Sequence, residues 1–471
     1  MNRLFKNSAK IRSYQSWAWP TSPKPTTPVF MVSPDNGFLP RNDPIAKLPE
    51  RFDALESLLD RMTLTRDDGT PGLLAKGEFG DAVLKELPVL SVADIEDQEL
   101  LMALFRDYTF AASSYLLEPC DIMNRSKGHY GLGRQTLPKQ IAVPLQQISD
   151  KIKAKPFMEY AQSYALYNYK RKNKSEPLYF ENLELIRKFS GMQSETGFIG
   201  IHVAMVRHTP QFVEGLTKAL DSAAKNDRKE FNHNLNAIVD TMKTINGVME
   251  DMWAESHPAD YLKFRTFIMG IKGQNEMFPN GVVYEGVDSN PREYRGESGA
   301  NDSIIPCCDN FLQLTQGMPE NPMTEILRDF RSYRPIDHNR FVSWVQQSAS
   351  ELGIEKYCLQ DVKSLTLYIA LLDQVRDFRH RHWNFAKEYI IKRTAYPKAT
   401  GGSPMATWLP NQLGVVLKAI EDKSAVLLEK YGSELKDTAD AKLIDSIQDR
   451  AAAQRRVLEK DVAEYKKKFD Q

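Results

Sequence analysis

The sequence predicts an all-α fold, and two observations carry that expectation. Apolar residues recur at steps of three and four through most of the chain, the spacing that gathers side chains on one helical face. Strand signals are scarce: the only hairpin-like piece is residues 281–286, Gly-Val-Val-Tyr-Glu-Gly. A chain of 471 residues can bury a large core in more than one domain. Its 42% hydrophobic and 26% charged residues are ordinary for a globular protein. Lys plus Arg and Asp plus Glu are both 62, so the formal net charge is zero and no basic surplus recommends a nucleic-acid partner. No apolar run is long enough to span a membrane. Cys120, Cys307, Cys308 and Cys358 form no CxxC pair, which suits a reducing compartment. The expectation is a cytoplasmic protein with no nucleic-acid and no membrane partner.

Taken in order, residues 1–34 lack Asp and Glu and carry Arg3, Lys6, Lys10 and Arg12, weakly like a transit peptide. Pro20, Pro23, Pro25 and Pro28 favour a disordered or wrapping arm instead. Asp35-Asn36-Gly37 marks a turn. Residues 47–65 and 80–116 then show helical periodicity, with Leu55, Leu58, Leu59 and Met62 on one face. Gly128-His129-Tyr130-Gly131-Leu132-Gly133 has no preceding strand and no following GK[ST], so it reads as a connection rather than a phosphate loop. Helices are predicted over 144–154, 157–169, 183–189, 198–207, 210–224 and 232–252. A boundary near residue 150 divides a small N-terminal helical domain, 35–150, from a larger C-terminal one, 151–425. Residues 413–431 form one more apolar helix, and 426–471 a charged helical extension. In that extension Leu443, Ile447, Ala451, Val457, Val462 and Tyr465 keep no heptad, which favours packing on the domain and a monomer over an oligomerising coil.

The chemistry gathers in residues 364–412. Leu371, Val375, Phe378, His382, Phe385 and Tyr389 share one helical face, whereas His380 points away among Arg376, Asp377, Arg379 and Arg381. A histidine inside an apolar stripe is either a core imidazole with both nitrogens hydrogen-bonded or an axial ligand to a heme iron. Ala399-Thr400-Gly401-Gly402-Ser403-Pro404 follows, a small and hydroxyl-bearing loop, and then Trp408-Leu409-Pro410-Asn411-Gln412.

Arg379, His382, Tyr389 and Ile390 in an RxxHxxxxxxYI string, followed by Thr400-Gly401-Gly402, resemble the indoleamine 2,3-dioxygenase family. Further segments follow in that family's order over roughly residues 30–425: Gly197-Phe198-Ile199, Tyr261 through Arg265 to Gly270-Ile271-Lys272-Gly273, and Gly296-Glu297-Ser298-Gly299-Ala300. The resemblance implies heme b (iron-protoporphyrin IX) with His382 as the proximal ligand and Ser298, Gly299 and Ala300 lying against the macrocycle. It also implies a substrate held by Phe198, Tyr261, Thr400, Gly401 and Gly402, with Arg265 gripping its carboxylate. His202, Arg265 and Ser298 are the implied catalytic set. At the position of His202 the vertebrate members carry serine, and the related tryptophan 2,3-dioxygenases have a distal histidine that contacts the indole N–H.

The activity implied is insertion of both atoms of O2 across the indole C2–C3 bond of L-tryptophan to give N-formylkynurenine. Ile199 and His202 depart from the vertebrate pattern and keep two alternatives open: a relative that inserts one oxygen or takes a modified indole, and a non-catalytic heme-binding sensor.

Overall fold

The computed structural model describes residues 14–20, 24–314, 322–396, 398–403 and 405–469. It is all-α. The N-terminal half contains α1 (Asp53–Asp60), α2 (Leu73–Lys76), α3 (Phe79–Glu86), α4 (Gln98–Lys127) and α5 (Lys139–Ile152). Helices α6 (Gln193–Val206), α7 (Thr209–Ala224), α8 (Arg228–Glu250), α9 (Met252–Glu255) and α10 (Pro258–Arg265) follow. The remainder comprises α11 (Ile304–Phe311), α12 (Pro322–Arg331), α13 (Ile336–Leu352), α14 (Ile354–Cys358), α15 (Val362–Phe385), α16 (Met405–Leu435) and α17 (Ala439–Phe469).

The periodic stretch 80–116 is two helices, because Pro88 and the Asp97 cap interrupt it. The Asp97 carboxylate accepts from the backbone N–H of Glu99 and Leu100, and α4 then runs 30 residues to Gly128, whose φ of 79° ends it in a left-handed turn. Residues 183–189, expected as helix, instead begin with strand β3 (Leu183–Leu185), paired antiparallel with β2 (Tyr169–Arg171). Leu183 and Leu185 are buried and Glu184 is exposed, so the period there is two rather than 3.6. The expected helix 157–169 is a single π-turn, Tyr160–Tyr164, followed by the start of β2. In 281–286, Val283–Tyr284 (β4) pairs in parallel with Thr136–Leu137 (β1) rather than closing a hairpin on itself.

Helices α7 and α8 pack as a hairpin, and α15 lies between α8 and α16. The last helix, α17, lies on α16 and α15. Asp461 accepts from Trp383 Nε1 at 3.0 Å and pairs with Lys387 Nζ at 2.7 Å, while Tyr465 meets Trp383 edge-on at 5.9 Å. At the other terminus Trp17 stands edge-on to Phe341 at 5.1 Å, and Trp344 Nε1 donates to the Gln15 carbonyl at 2.9 Å. The four cysteines are buried and free. No helix among the described residues is long and apolar enough to cross a membrane.

Candidate functional site

The C-terminal helices surround a cavity of about 1130 Å³ of atom-free space, part of it open to solvent. Five stretches contribute to its walls: Phe198, His202 and Met205 of α6; Met249, Met252 and Tyr261 of α8 to α10; Glu297–Ala300 and Asp302; Phe330 of α12; and residues between Phe378 and Leu409. The wall is mainly aromatic and aliphatic, so its few polar groups stand out.

The face of α15 that the sequence marks as apolar is one wall: Phe378, His382 and Phe385 line the cavity and His380 does not. Immediately after α15 the backbone widens into a π-turn, Ala386–Ile391, which brings Ala386, Tyr389 and Ile390 into the same wall. Tyr389 is fixed by donating its hydroxyl hydrogen to the carbonyls of Met252, at 3.1 Å, and Ser256. The His382 imidazole has no hydrogen-bond partner among the described residues. Burial pushes its pKa down to about 4, with His202 and Arg379 opposing its charge further, so the ring is neutral. His202 and His382 keep partial exposure because they face the cavity.

On α6, Gly197 permits close packing: a Cβ there would lie 1.9 Å from the Glu255 carbonyl oxygen. The Glu195 carboxylate accepts from the N–H of Phe189 and Ser190, anchoring the start of the helix. His202 Nδ1 is 2.7 Å from the Phe198 carbonyl. A carbonyl only accepts, so Nδ1 carries the hydrogen and Nε2 is left as an acceptor. Burial also holds the His202 pKa below its ordinary value. Phe198 stacks obliquely on Tyr261, ring centroids 5.4 Å apart, and Tyr160 stands edge-on to His202 at 5.7 Å.

The small-residue loop also reaches the wall. Ser298 Oγ accepts from Ala300 N at 3.3 Å and opens the short turn Gly299–Asn301. A Cβ at Gly299 would meet nothing within 4 Å. Of the loop 398–403, Ala399, Thr400 and Ser403 line the cavity, and Gly401 and Gly402 do not. Gly401 lies against Phe330, and Gly402, with φ +82°, against the Lys272 carbonyl. The Thr400 hydroxyl donates to the Glu297 carbonyl at 2.6 Å, leaving only its lone pairs to a ligand.

Arg265 is apart from the other expected site residues. It is 0% exposed, is absent from the cavity wall, and directs Nη1 to the Tyr130 hydroxyl at 3.1 Å and Nη2 to the Lys398 carbonyl. Its Nε has no partner among the described residues. Sequence reasoning passed over two acids in the wall, Glu297 and Asp302, although one signal was present: charged residues inside Gly296-Glu297-Ser298-Gly299-Ala300-Asn301-Asp302, a string otherwise of small and polar ones.

Fold and cavity together define an all-helical protein that encloses an apolar chamber with two imidazoles in its wall. The chain belongs to the indoleamine 2,3-dioxygenase family, whose model matches residues 26–447. It is 23% identical to rat (Rattus norvegicus) indoleamine 2,3-dioxygenase 1 over 369 residues, 77% of this chain and 84% of the rat protein. Over 388 residues it is 24% identical to indoleamine 2,3-dioxygenase nanC of Aspergillus nanangensis, covering 79% of this chain and 88% of that one. Over 393 residues it is 25% identical to a protein named myoglobin from Haliotis madaka, covering 81% and 95%.

Proposed function

We propose that the chain is a heme-dependent dioxygenase that opens the indole ring of L-tryptophan or a close relative, yielding N-formylkynurenine from tryptophan. The observation that carries this reading is His382, a neutral imidazole with no hydrogen-bond partner among the described residues, in the wall of an apolar cavity. A bare metal ion needs several protein ligands, and no group of three or more His, Cys, Asp or Glu suited to one occurs among the described residues. A porphyrin brings four nitrogens of its own and needs one axial imidazole. The residues therefore fit heme: His382 would hold the iron, Ser298, Gly299 and Ala300 would lie against the ring, and Phe378, Phe385 and Ala386 would cover it.

When bound, the heme supplies O2 binding and the redox chemistry. The chain's own contribution is orientation and dryness. Phe198 and Tyr261 would pack side by side against the indole, and His202 Nε2 would accept its N–H. Arg265 could reach a substrate carboxylate only once Tyr130 and Lys398 release it; as described, it holds the loop 398–403. Similarity to a protein named myoglobin supports a second reading, a heme protein that binds O2 without turnover.

Two measurements test this. The purified protein should show a Soret band, lost in His382→Ala and kept in His380→Ala. With reductant, O2 and tryptophan, mass spectrometry should find a product heavier by two oxygen atoms; a Soret band with no product would favour the second reading.

A further inference from the structure

The charge of the cavity wall is one-sided. Glu297 and Asp302 line it, and no Lys or Arg does among the described residues. Glu297 is 3% exposed, and its carboxyl receives no hydrogen bond from any described residue. Behind it lies Glu159, also buried, whose carboxylate accepts from the backbone N–H of Ala161 and Gln162. Tyr160, Tyr164 and Tyr261 are near both the acids and the cavity, and the Tyr160 hydroxyl lacks a partner among the described residues. Burial, with Glu159 adding to it, pushes Glu297 up to about 8, and no cation among the described residues offsets this. Asp302 differs: it accepts from Ile304 N at 2.7 Å, and Arg334 compensates part of its charge.

A buried carboxyl with no donor is costly unless something that enters the cavity supplies one. An ammonium group entering the cavity would favour the ionised form of Glu297 and displace its proton, whereas an anionic group would find no cation among the described wall residues. We propose that Glu297 is a specificity-determining residue that receives the side-chain ammonium group of an indole substrate. This rests on the reading of the cavity as an indole site. Amine-bearing indoles should therefore bind, with or without a carboxylate, and indoles bearing only a carboxylate should bind poorly.

The test is optical titration of the ferric holoprotein with L-tryptophan, tryptamine and indole-3-propionate, in wild type and Glu297→Gln. Wild type should bind both amines more tightly than indole-3-propionate. The glutamine variant should lose about tenfold or more in affinity for both amines, the scale of one charge-assisted hydrogen bond. Its affinity for indole-3-propionate should hold or improve. Calorimetry of tryptamine binding to wild type, in two buffers of different ionisation enthalpy near neutral pH, adds a readout that needs no variant. An ammonium arriving beside a protonated Glu297 should release a proton to the buffer. Equal loss for all three ligands, or tryptamine binding with no proton release, overturns the assignment while leaving the indole site intact. A holoprotein that binds none of the three indoles overturns the indole reading itself.

Discussion

At the scale of the residue, His202 is where neutral imidazole chemistry can be tested apart from His382. Its Nδ1–H is committed to the Phe198 carbonyl, so Nε2 accepts only while the ring is neutral. Burial lowers the pKa from the ordinary 6.5, so activity toward tryptophan should stay level through neutral pH and fall only below 6.5 as Nε2 takes a proton. His202→Ser should remain active with a weaker acid limb. It should also discriminate less against 1-methyltryptophan, which has no N–H to donate; rates for the two substrates in both proteins, across pH, decide this. An unchanged discrimination would mean that His202 only packs. The two histidines were legible in the sequence because a helix imposes a period, and the period assigns a side. Glu297 was not, because it sits in a loop without one.

At the scale of the element, the loop 398–403 is held from several directions. Gly270 N–H donates to the Thr400 carbonyl at 3.0 Å, Gln274 Nε2 to the Ala399 carbonyl at 2.8 Å, and Arg295 Nη1 to the Gly401 carbonyl at 2.8 Å. Gly402 adds a left-handed residue, φ +82°, where a Cβ would lie 2.4 Å from the Lys272 carbonyl oxygen. Gly402→Ala should therefore cost roughly 1–3 kcal/mol and shift Ala399, Thr400 and Ser403 from the wall. Denaturant unfolding and the ligand titration measure the two effects, and a fully stable variant would contradict the packing described. The long helices could be read from spacing alone. The sequence could not separate a two-residue period from a helical one in Leu183-Glu184-Leu185, since three residues are too few to distinguish them. Nor could it locate the π-turn after His382, which depends on what the helix meets.

At the scale of the whole molecule, C-terminal packing and buried charge set stability. Asp461 of α17 pairs with Trp383 and Lys387, so Asp461→Ala should cost about 1–3 kcal/mol, measured as a lowered Tm. Buried titratable groups make the apoprotein pH-sensitive in two directions. His338 and His382 are pushed by burial from 6.5 to about 3 and about 4, so the unfolded chain takes protons that the folded one refuses, and stability falls as pH drops below 6.5. Glu159 and Glu297 are raised from 4.5 to about 8, so their contribution is complete below 4.5 and is lost as pH rises through 8. Between pH 4.5 and 6.5 the two pairs oppose each other, so Glu297→Gln should flatten the decline between pH 6.5 and 8 and uncover a histidine-driven fall between 6.5 and 4.5, as thermal unfolding across pH would record. Composition conveyed none of this, because a formal charge of zero says nothing about which charges are buried.

The cavity wall begins at Phe198 and ends at Leu409. While the polypeptide is being made, the first wall residues leave the ribosome long before the last. At about 5–20 residues per second, roughly 10–40 s separate the addition of Phe198 from that of Leu409. Until then there is no enclosed chamber, only an α6 whose inner face lacks its counterpart. Whatever the chamber holds must be delivered to a chain already grown past Leu409, and the shorter chain must protect its open apolar surface in the meantime.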